Sequence, residues 1–362
     1  MHNGQLIEMF AQVECPEFLR PEQLDAYLER GWFRMRQNVF TTNFVHFKNQ
    51  FYSALWLRIV LEKFSADNGL QKIIKRNASF RTVIQPASIT PEKETLYARY
   101  KAQLPFEPMA SLTQLLFHEA RPGNIYTTQE VALYDGEKLI AIGYFDRGYK
   151  SAAGIVSVYD PDYKKYSLGK YIIYQKIDYC RKQQMQYFYP GYFVPGYPAF
   201  DYKLSIGRPA LEFLQLSSQK WVSVDIFSPD NDPYQVMWKK LRALQQLLIP
   251  AGLIGKVMKY EFFDAGLFPE LKDAALFDFP VMMHFPEQSE DILNPVIVFD
   301  VRDGQYHLLQ CVPVYAPQSP VHDPDFYSDY IIRQEFDFFA TTSEEELAAL
   351  LLRFFIPGSR QQ

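Results

Sequence analysis

Apolar and polar positions repeat with two different periods along the chain, and these periods predict its elements. Near the N-terminus, RPEQLDAYLERGWF predicts a short helix, because Pro21 suits a first helical turn and Gly31 suits a helix end. FRMRQNVFTTNF then alternates and predicts a strand that carries Arg34 and Arg36. The next stretch, NQFYSALWLRIVLEKF, is an apolar run that fits either a helix or a buried strand.

The middle of the chain begins with a helix and continues with period-two alternation. TPEKETLYARYKAQL predicts a helix, because Thr90 suits a cap and acidic residues follow in the first turn. QEVALYDGEKLIAIGYFDRGYKSAAGIVSVYDP predicts three strands, with turns at Asp135 and near Arg147 and a strand end at Asp160. A small-residue loop, a helix and the strand MQYFYPGYFV follow.

The residues after 225 predict a further set of helices and strands. Asp232 introduces a helix, YQVMWKKLRALQQLL, and two strands flank a turn at Asp303. Ser343 and Glu346 form a capping-box start for the last helix, EEELAALLLRFF. We therefore predict an N-terminal α/β lobe over residues 1–89, a central domain over residues 90–225 and a C-terminal α/β extension over residues 226–362.

Charge is distributed unequally between these parts. The first 225 of the 362 residues hold 27 basic and 22 acidic groups, whereas the remainder holds 10 basic and 20 acidic groups. A basic first part suits contact with a polyanion, and an acidic extension does not. A solvated surface without any ligand would show the same asymmetry.

Several classes of protein are disfavoured by composition. The three cysteines and six histidines are scattered without paired spacing, so we predict neither a disulfide framework nor a metal site. No apolar run approaches the length of a membrane span, and the N-terminus lacks the pattern of a secretion signal. We expect a soluble cytoplasmic protein that does not bind membranes, and its oligomeric state stays open.

The loop before the central helix has a chemical use. Ser167, Leu168 and Gly169 precede the helix and are flanked by Lys164, Lys165 and Lys170. Free backbone N–H groups at a helix start, beside lysines, suit a phosphate group or a nucleotide 3′ end. An ordinary helix start whose donors bind water fits the same residues.

The order of elements in the centre resembles the GNAT-like acyltransferase fold. That resemblance implies an α+β protein with a mixed, mostly antiparallel sheet flanked by helices. It also implies two neighbouring strands that part and leave backbone groups free to polarise a carbonyl. The phosphate loop usual in that fold is richer in glycine than KKYSLGKY.

Four linked motifs resemble the aminoacyl-tRNA–protein transferases, which transfer arginine or leucine in the N-end rule. The resemblance covers about residues 15–225, and GWFRMRQNVFTT and TLYARYK add to it. The cysteine pairs of that family are absent, because the corresponding stretch carries Asn43, Phe44, Asn49, Phe51 and Ser53. The four motifs are Tyr159-Asp160-Pro161, Ser167-Leu168-Gly169, Tyr189-Pro190-Gly191-Tyr192 and Tyr202-Lys203.

This resemblance implies transfer of an amino acid from charged tRNA to a protein N-terminus, with no cofactor. The ester is already activated, so the site must align an α-amine with it, supply oxyanion donors and move one proton. Backbone N–H groups near Val158–Asp160 are the expected donors. The implied catalytic residues are Asp160, Tyr189, Tyr192 and Tyr202. The implied substrate-binding residues are Arg34, Arg99, Tyr159, Ser167, Leu168, Gly169, Lys170, Gly191 and Lys203, of which Arg34, Arg99 and Lys203 would suit an acidic N-terminal residue.

Other interpretations of the same residues stay open. The donor could instead be acetyl-coenzyme A, or the fold could bind tRNA or protein N-termini without turnover. The tyrosines could be ordinary core or rim residues of a half-buried sheet. Arg34 and Arg99 could be partners in internal ion pairs. The extension after residue 225 could mediate dimerisation, cover the site or add a substrate pocket.

Overall fold

The structure is a computed structural model that describes residues 9–104, 108–117, 123–286, 293–317 and 323–355. Within these ranges the chain forms four β-sheets, the largest of eight and six strands, with helices packed on them. The prediction of a mixed α+β protein with mostly antiparallel strands is therefore confirmed. No helix of the described residues is long and apolar enough to cross a membrane.

Seven helices and nineteen strands are assigned in the described part of the chain. The helices are α1 (Pro21–Glu29), α2 (Asn68–Arg76), α3 (Pro91–Lys101), α4 (Leu112–Leu116), α5 (Leu168–Lys182), α6 (Pro233–Leu248) and α7 (Glu344–Phe355). The strands up to residue 225 are β1 (Ala11–Glu14), β2 (Phe33–Met35), β3 (Asn38–Thr42), β4 (Phe44–Phe47), β5 (Gln50–Ser53), β6 (Leu55–Val60), β7 (Arg81–Pro86), β8 (Thr128–Asp135), β9 (Lys138–Arg147), β10 (Ser151–Tyr159), β11 (Tyr187–Phe193), β12 (Leu211–Gln215) and β13 (Lys220–Ser223). The later strands are β14 (Lys256–Tyr260), β15 (Val281–His284), β16 (Val296–Asp300), β17 (Gln305–Tyr315), β18 (Phe326–Tyr327) and β19 (Ile331–Thr341).

The eight-stranded sheet is the centre of the molecule. Its strand order is β13-β12-β6-β11-β10-β9-β8-β7, and the pair β10–β11 is parallel whereas its other neighbours are antiparallel. Helix α5 packs on the sheet through Leu168, Ile172 and Ile177, which share a core with residues of β6 and β9. Helix α3 joins a separate core through Leu96 and Tyr97. Helices therefore flank a sheet that is parallel at one pair of strands.

Most local predictions agree with these elements. Helices α1, α3, α5, α6 and α7 and strands β8 to β11 lie where the apolar patterns predict them. The single strand predicted for FRMRQNVFTTNF is wrong, because the chain turns at Arg36 (φ +57°) and forms the hairpin β2–β3. The undecided run NQFYSALWLRIVLEKF forms strands β5 and β6. In β6, Leu55, Trp56 and Leu57 are buried in succession, because Leu55 and Leu57 join one core and Trp56 joins another.

The residues after 225 form a second core that includes residues from the N-terminus. The six-stranded sheet has the order β18-β14-β15-β16-β17-β19 and packs with α6 and α7. Phe10, Phe44 and Phe51 are buried in the same core, and the Ser53 hydroxyl donates to Asp232 at the start of α6. The predicted domain boundaries at residues 89 and 225 stay a prediction. The eight-stranded sheet contains β6 and β7, which precede residue 90, together with strands of the central part.

A buried ion pair fixes α3 to the sheet and makes a prediction about stability. The Nζ atom of Lys93 lies 2.6 Å from both carboxylate oxygens of Glu130, and both side chains are buried. Lys93→Met should lower the free energy of unfolding by about 3–5 kcal/mol in urea denaturation, because the Glu130 charge is left buried without its cation. Lys93→Met combined with Glu130→Gln should recover part of that loss. Equal losses in the single and double variants would contradict this account.

Candidate active site

The eight-stranded sheet opens between its two parallel strands. Strands β10 and β11 are paired from Ser151 opposite Tyr187 to Ala153 opposite Tyr189, and their register ends there. Immediately beyond, β10 has an irregularity against β9 between Gly154 and Val156. Such a bulge bends a strand and increases its twist, which carries β10 away from its neighbour.

Strand β11 bends at the same level, and its sequence explains why. Its register against β6 shifts between Phe188 and Gly191. Pro190 has no N–H to donate to a ladder, and Gly191 adopts φ +85°, a conformation that side chains rarely allow. The Tyr-Pro-Gly-Tyr motif therefore makes the irregularity in β11, which pairs with β6 again from Gly191 opposite Leu57.

Alternation decides which backbone donors face the opening. The N–H of Asp160 donates to the carbonyl of Ile140 in β9, at 2.8 Å. Hydrogen bonds to one neighbour alternate along an antiparallel strand, so the N–H groups of Ser157 and Tyr159 point away from β9, toward β11. Oxyanion donors were expected near Val158–Asp160. In this segment the N–H groups of Ser157 and Tyr159 are the ones that face the opening.

A cavity of about 600 Å³ lies in this opening. Four lysines line it, and no carboxylate belongs to its lining among the residues that the structure describes. The remaining polar groups are hydroxyls and the backbone of β10 and α5. The lining includes Tyr100, Ser157, Tyr159, Lys164, Ser167, Gly169, Lys170, Lys176, Pro190, Tyr202 and Lys203.

Lys203 lies in the wall of the cavity and is largely removed from water. Its Nζ atom donates to the carbonyl of Tyr192 in β11 at 2.7 Å and lies over the rings of Tyr192 and Phe200. No carboxylate of the described residues lies within ion-pair distance of it. Burial without such a partner lowers the pKa of the Lys203 ammonium to about 7.

Lys176 is a second buried lysine, and sequence reasoning missed it. Its Nζ atom donates to the carbonyls of Tyr144 at 2.8 Å and Val156 at 2.9 Å, at the bulge of β10. Burial lowers the pKa of the Lys176 ammonium to about 7. The available signal was its spacing, because Ile172, Lys176 and Cys180 are four residues apart and share the buried face of α5.

The start of α5 borders the cavity, as the small-residue loop predicts. Ser167 takes a left-handed conformation (φ +55°), and its side chain does not cap the helix. Leu168 is buried in the core, whereas Gly169 and Lys170 line the cavity. The first N–H groups of a helix have no acceptor within the helix, so this end offers donors to an anion.

Comparison with known proteins is consistent with this site. The family model described as arginine-tRNA-protein transferase, C terminus, matches residues 92–210, which include β10, α5 and β11. An aspartate/glutamate leucyltransferase of Leptospira interrogans is 28% identical over 217 residues, 59% of this chain and 82% of its own length. One from Vibrio cholerae is 27% identical over 59% of this chain and 89% of its own length. Over residues 92–210 the chain is similar to the aminoacyl-tRNA–protein transferase family.

Structural comparison adds less. The structure of L-PGS from Bacillus licheniformis matches 47% of this chain and 50% of its own, with 11% identity and a TM-score of 0.31. That score is too low to carry an argument about the fold. The similarity to the transferase family therefore rests on the sequence matches, of which the family model ends at residue 210.

The motif tyrosines of the transferase family separate into two groups. Tyr159 and Tyr202 line the cavity, and Tyr100 packs edge-on to Tyr159 at 5.1 Å. Tyr189 is buried against Phe33 and outside the lining. Tyr192 contributes its carbonyl to Lys203, while its ring packs on Trp56 and Phe200 outside the lining.

Three other charged candidates form ion pairs outside the cavity lining. Arg34 binds the buried Asp146 at 2.8 Å and Thr128 at 2.9 Å. Asp160 accepts from Arg99 and from Lys138, each at 2.9 Å. These pairs favour the alternative interpretation of Arg34 and Arg99 as structural cations. Of the cations expected to meet an acidic substrate, Lys203 is the one that lines the cavity.

Asp300, Asp303 and His307 come close enough to hold a cation, far along the chain from the matched segment. Arg302 already binds Asp300 at 2.6 Å, and His307 contacts Asp337 at 2.7 Å and Asp303 at 3.0 Å. Each of these three side chains therefore already has a partner among its neighbours. The cluster is an ion-pair network of the C-terminal sheet.

The ion pairs of Asp160 predict how stability depends on pH. Hydrogen bonds from Lys138 and the Asp162 N–H, with the charge of Arg99, outweigh desolvation and hold the pKa of Asp160 below its usual value. This stabilisation is present above the unfolded pKa, ~3.9, and is lost as pH falls through the folded pKa. Asp160→Asn should cost about 1–3 kcal/mol at pH 7 in urea denaturation. The difference from wild type should shrink below pH ~4, and a pH-independent difference would contradict this assignment.

Proposed function

We propose that the protein transfers leucine from charged tRNA to the N-terminal α-amine of proteins that begin with Asp or Glu. The curated relatives are named for this reaction, and the matching family model covers residues 92–210, which include most of the cavity lining. The observation that carries the proposal is the opening between β10 and β11, which places a cavity lined by four lysines beside free backbone donors. Such a cavity suits an anionic donor whose ester must be polarised.

The donor would bind at the start of α5. The 3′ end of a tRNA carries phosphates, which suit the free N–H groups at this helix end together with Lys164 and Lys170. Tyr159 and Tyr202 would contact the terminal adenosine, because a phenol ring offers both a stacking face and a hydroxyl. The ester carbonyl would then lie against the N–H groups of Ser157 and Tyr159.

The reaction needs few protein groups once the two substrates are aligned. The α-amine attacks the ester carbonyl, a C–N bond forms and the C–O bond to the 3′ oxygen breaks. The proton released from the amine ends on that oxygen. Backbone donors held in place before the reaction stabilise the negative charge on the carbonyl oxygen, and alignment lowers the barrier further.

We propose the GNAT-like acyltransferase fold for the eight-stranded sheet. The parting of two parallel neighbours, a bulge in the first of them and a helix that starts at the opening support this assignment. Within this fold the opening is where an activated carbonyl is expected to bind. The lysines around it suit the charged end of a tRNA.

The first experiment measures transfer directly. Purified protein is mixed with tRNA charged with radiolabelled leucine or arginine and with peptides that differ only in their first residue, Asp, Glu or Ala. Leucine should move to the Asp and Glu peptides and not to the Ala peptide. Absence of transfer of either label would overturn the proposed function.

Lys203 is proposed to bind the acidic side chain of the acceptor, and this makes a prediction about pH. The Lys203 ammonium must be charged to attract a carboxylate, and its pKa is about 7. The KM for an Asp peptide should therefore be low below pH 7 and rise as pH increases through that value. Lys203→Arg stays charged, so its KM should be independent of pH between 6 and 8.5.

Removing the charge gives the matched test. Lys203→Met should raise the KM for the Asp peptide about 10- to 100-fold, the loss expected for a hydrogen bond to a charged group. Lys220→Met, at an exposed lysine that begins β13, is the control and should leave the KM unchanged. An unchanged KM in Lys203→Met, with the fold verified by circular dichroism, would remove Lys203 from this role.

A further inference from the structure

Lys176 has one bonding direction that meets a side chain of the cavity and not a backbone carbonyl. An ammonium group carries three N–H donors, whereas a neutral amine carries two donors and one lone pair. Two directions from Nζ meet the carbonyls of Tyr144 and Val156. In the third direction Nζ donates to the hydroxyl oxygen of Ser157 at 3.5 Å, and both side chains line the cavity. The ammonium satisfies all three acceptors, whereas the neutral amine satisfies both carbonyls and accepts from the Ser157 hydroxyl through its lone pair.

Burial favours the neutral form of Lys176, although Cys180 and Asp146 act in the opposite direction. Cys180 lies one turn along α5, and Asp146 on β9 is bound to Arg34 rather than to Lys176. Lys164, Lys170 and Lys203 line the other walls of the cavity. Lys176 is only 1% exposed, so water does not stabilise a charge on it.

We propose that Ser157 and Lys176 form a relay for the proton that leaves the attacking α-amine. This inference rests on the proposed function. As the new C–N bond forms, the amine gives a proton to the Ser157 oxygen, and the Ser157 hydroxyl proton moves to Nζ of Lys176. When the ester C–O bond breaks, the proton returns through Ser157 to the 3′ oxygen. Both side chains regain their starting state.

The position of the pair suits this chemistry. Ser157 is less buried than Lys176, so its hydroxyl is the more accessible of the two groups to a substrate amine. The backbone N–H of the same residue faces the opening as an oxyanion donor. A base with a pKa near the working pH is the most effective, and the pKa of Lys176 is about 7.

The experiment measures single-turnover leucine transfer at saturating tRNA and peptide between pH 5.5 and 8.5. In the wild type the rate should rise with pH and level off above about 7, as Lys176 becomes neutral. Lys176→Arg can still donate to both carbonyls but stays charged, so the rate should fall about 100-fold and lose this rise. Lys182→Arg, at the exposed end of α5, is the control and should behave as wild type.

Ser157 provides the second test, with a small change that the strand tolerates. Ser157→Ala should lower the transfer rate at least about 10-fold, because the contact between substrate amine and base is lost. Ser157→Thr keeps a hydroxyl and should recover most of the rate. A purely structural pair would change the unfolding midpoint without changing the pH profile.

The outcomes separate the two proposals. No transfer by the wild type overturns both the function and the relay. Transfer by the wild type, with Lys176→Arg and Ser157→Ala both retaining its rate and pH profile, overturns the relay alone. Loss of the pH-dependent rise in Lys176→Arg, together with recovery in Ser157→Thr, supports it.

Discussion

A β-sheet can open between two neighbouring strands only if the backbone groups that lose their ladder partners find others, and this constraint governs the centre of the protein. At the opening between β10 and β11, Lys176 donates to the carbonyl of Val156 and Lys203 donates to that of Tyr192. Both ammonium groups leave water to do so, and desolvation lowers their pKa toward neutrality. The requirement that keeps the sheet open therefore also places two ionisable amines in the cavity wall.

In the described part of the chain, some basic side chains of the fold bind carboxylates, whereas the lysines of the cavity lining do not. Asp146, Glu130 and Asp160 each bind a basic side chain close to the sheet, and those cations are committed to stability. The lysines that line the cavity have no carboxylate in that lining among the described residues. Because a charge without an internal partner attracts a partner from outside, the distribution of carboxylates determines where an anionic substrate is expected.

Much of the central fold could be predicted because its signals are local. Thr90 accepts a hydrogen bond from the N–H of Lys93, as expected for the cap of α3. The hairpin β8–β9 turns where Asp135 is followed by glycine. The hairpin β2–β3 was predicted as one strand, because its turn at Arg36 has no glycine or proline to mark it.

The sequence by itself determined the order of elements around the opening, the family motifs and the small-residue loop with neighbouring lysines before α5. These follow from apolar period, turn chemistry and residue identity, which act over a few positions. Only the tertiary structure decided which motif residues meet: it brings Tyr159, Tyr202 and Lys203 to the cavity and directs Tyr189, Arg34 and Asp160 elsewhere. It also brings Lys176 against Ser157, nineteen positions earlier in the chain. The physical reason is that desolvation and hydrogen bonding depend on neighbours distant in the chain, which no local pattern records.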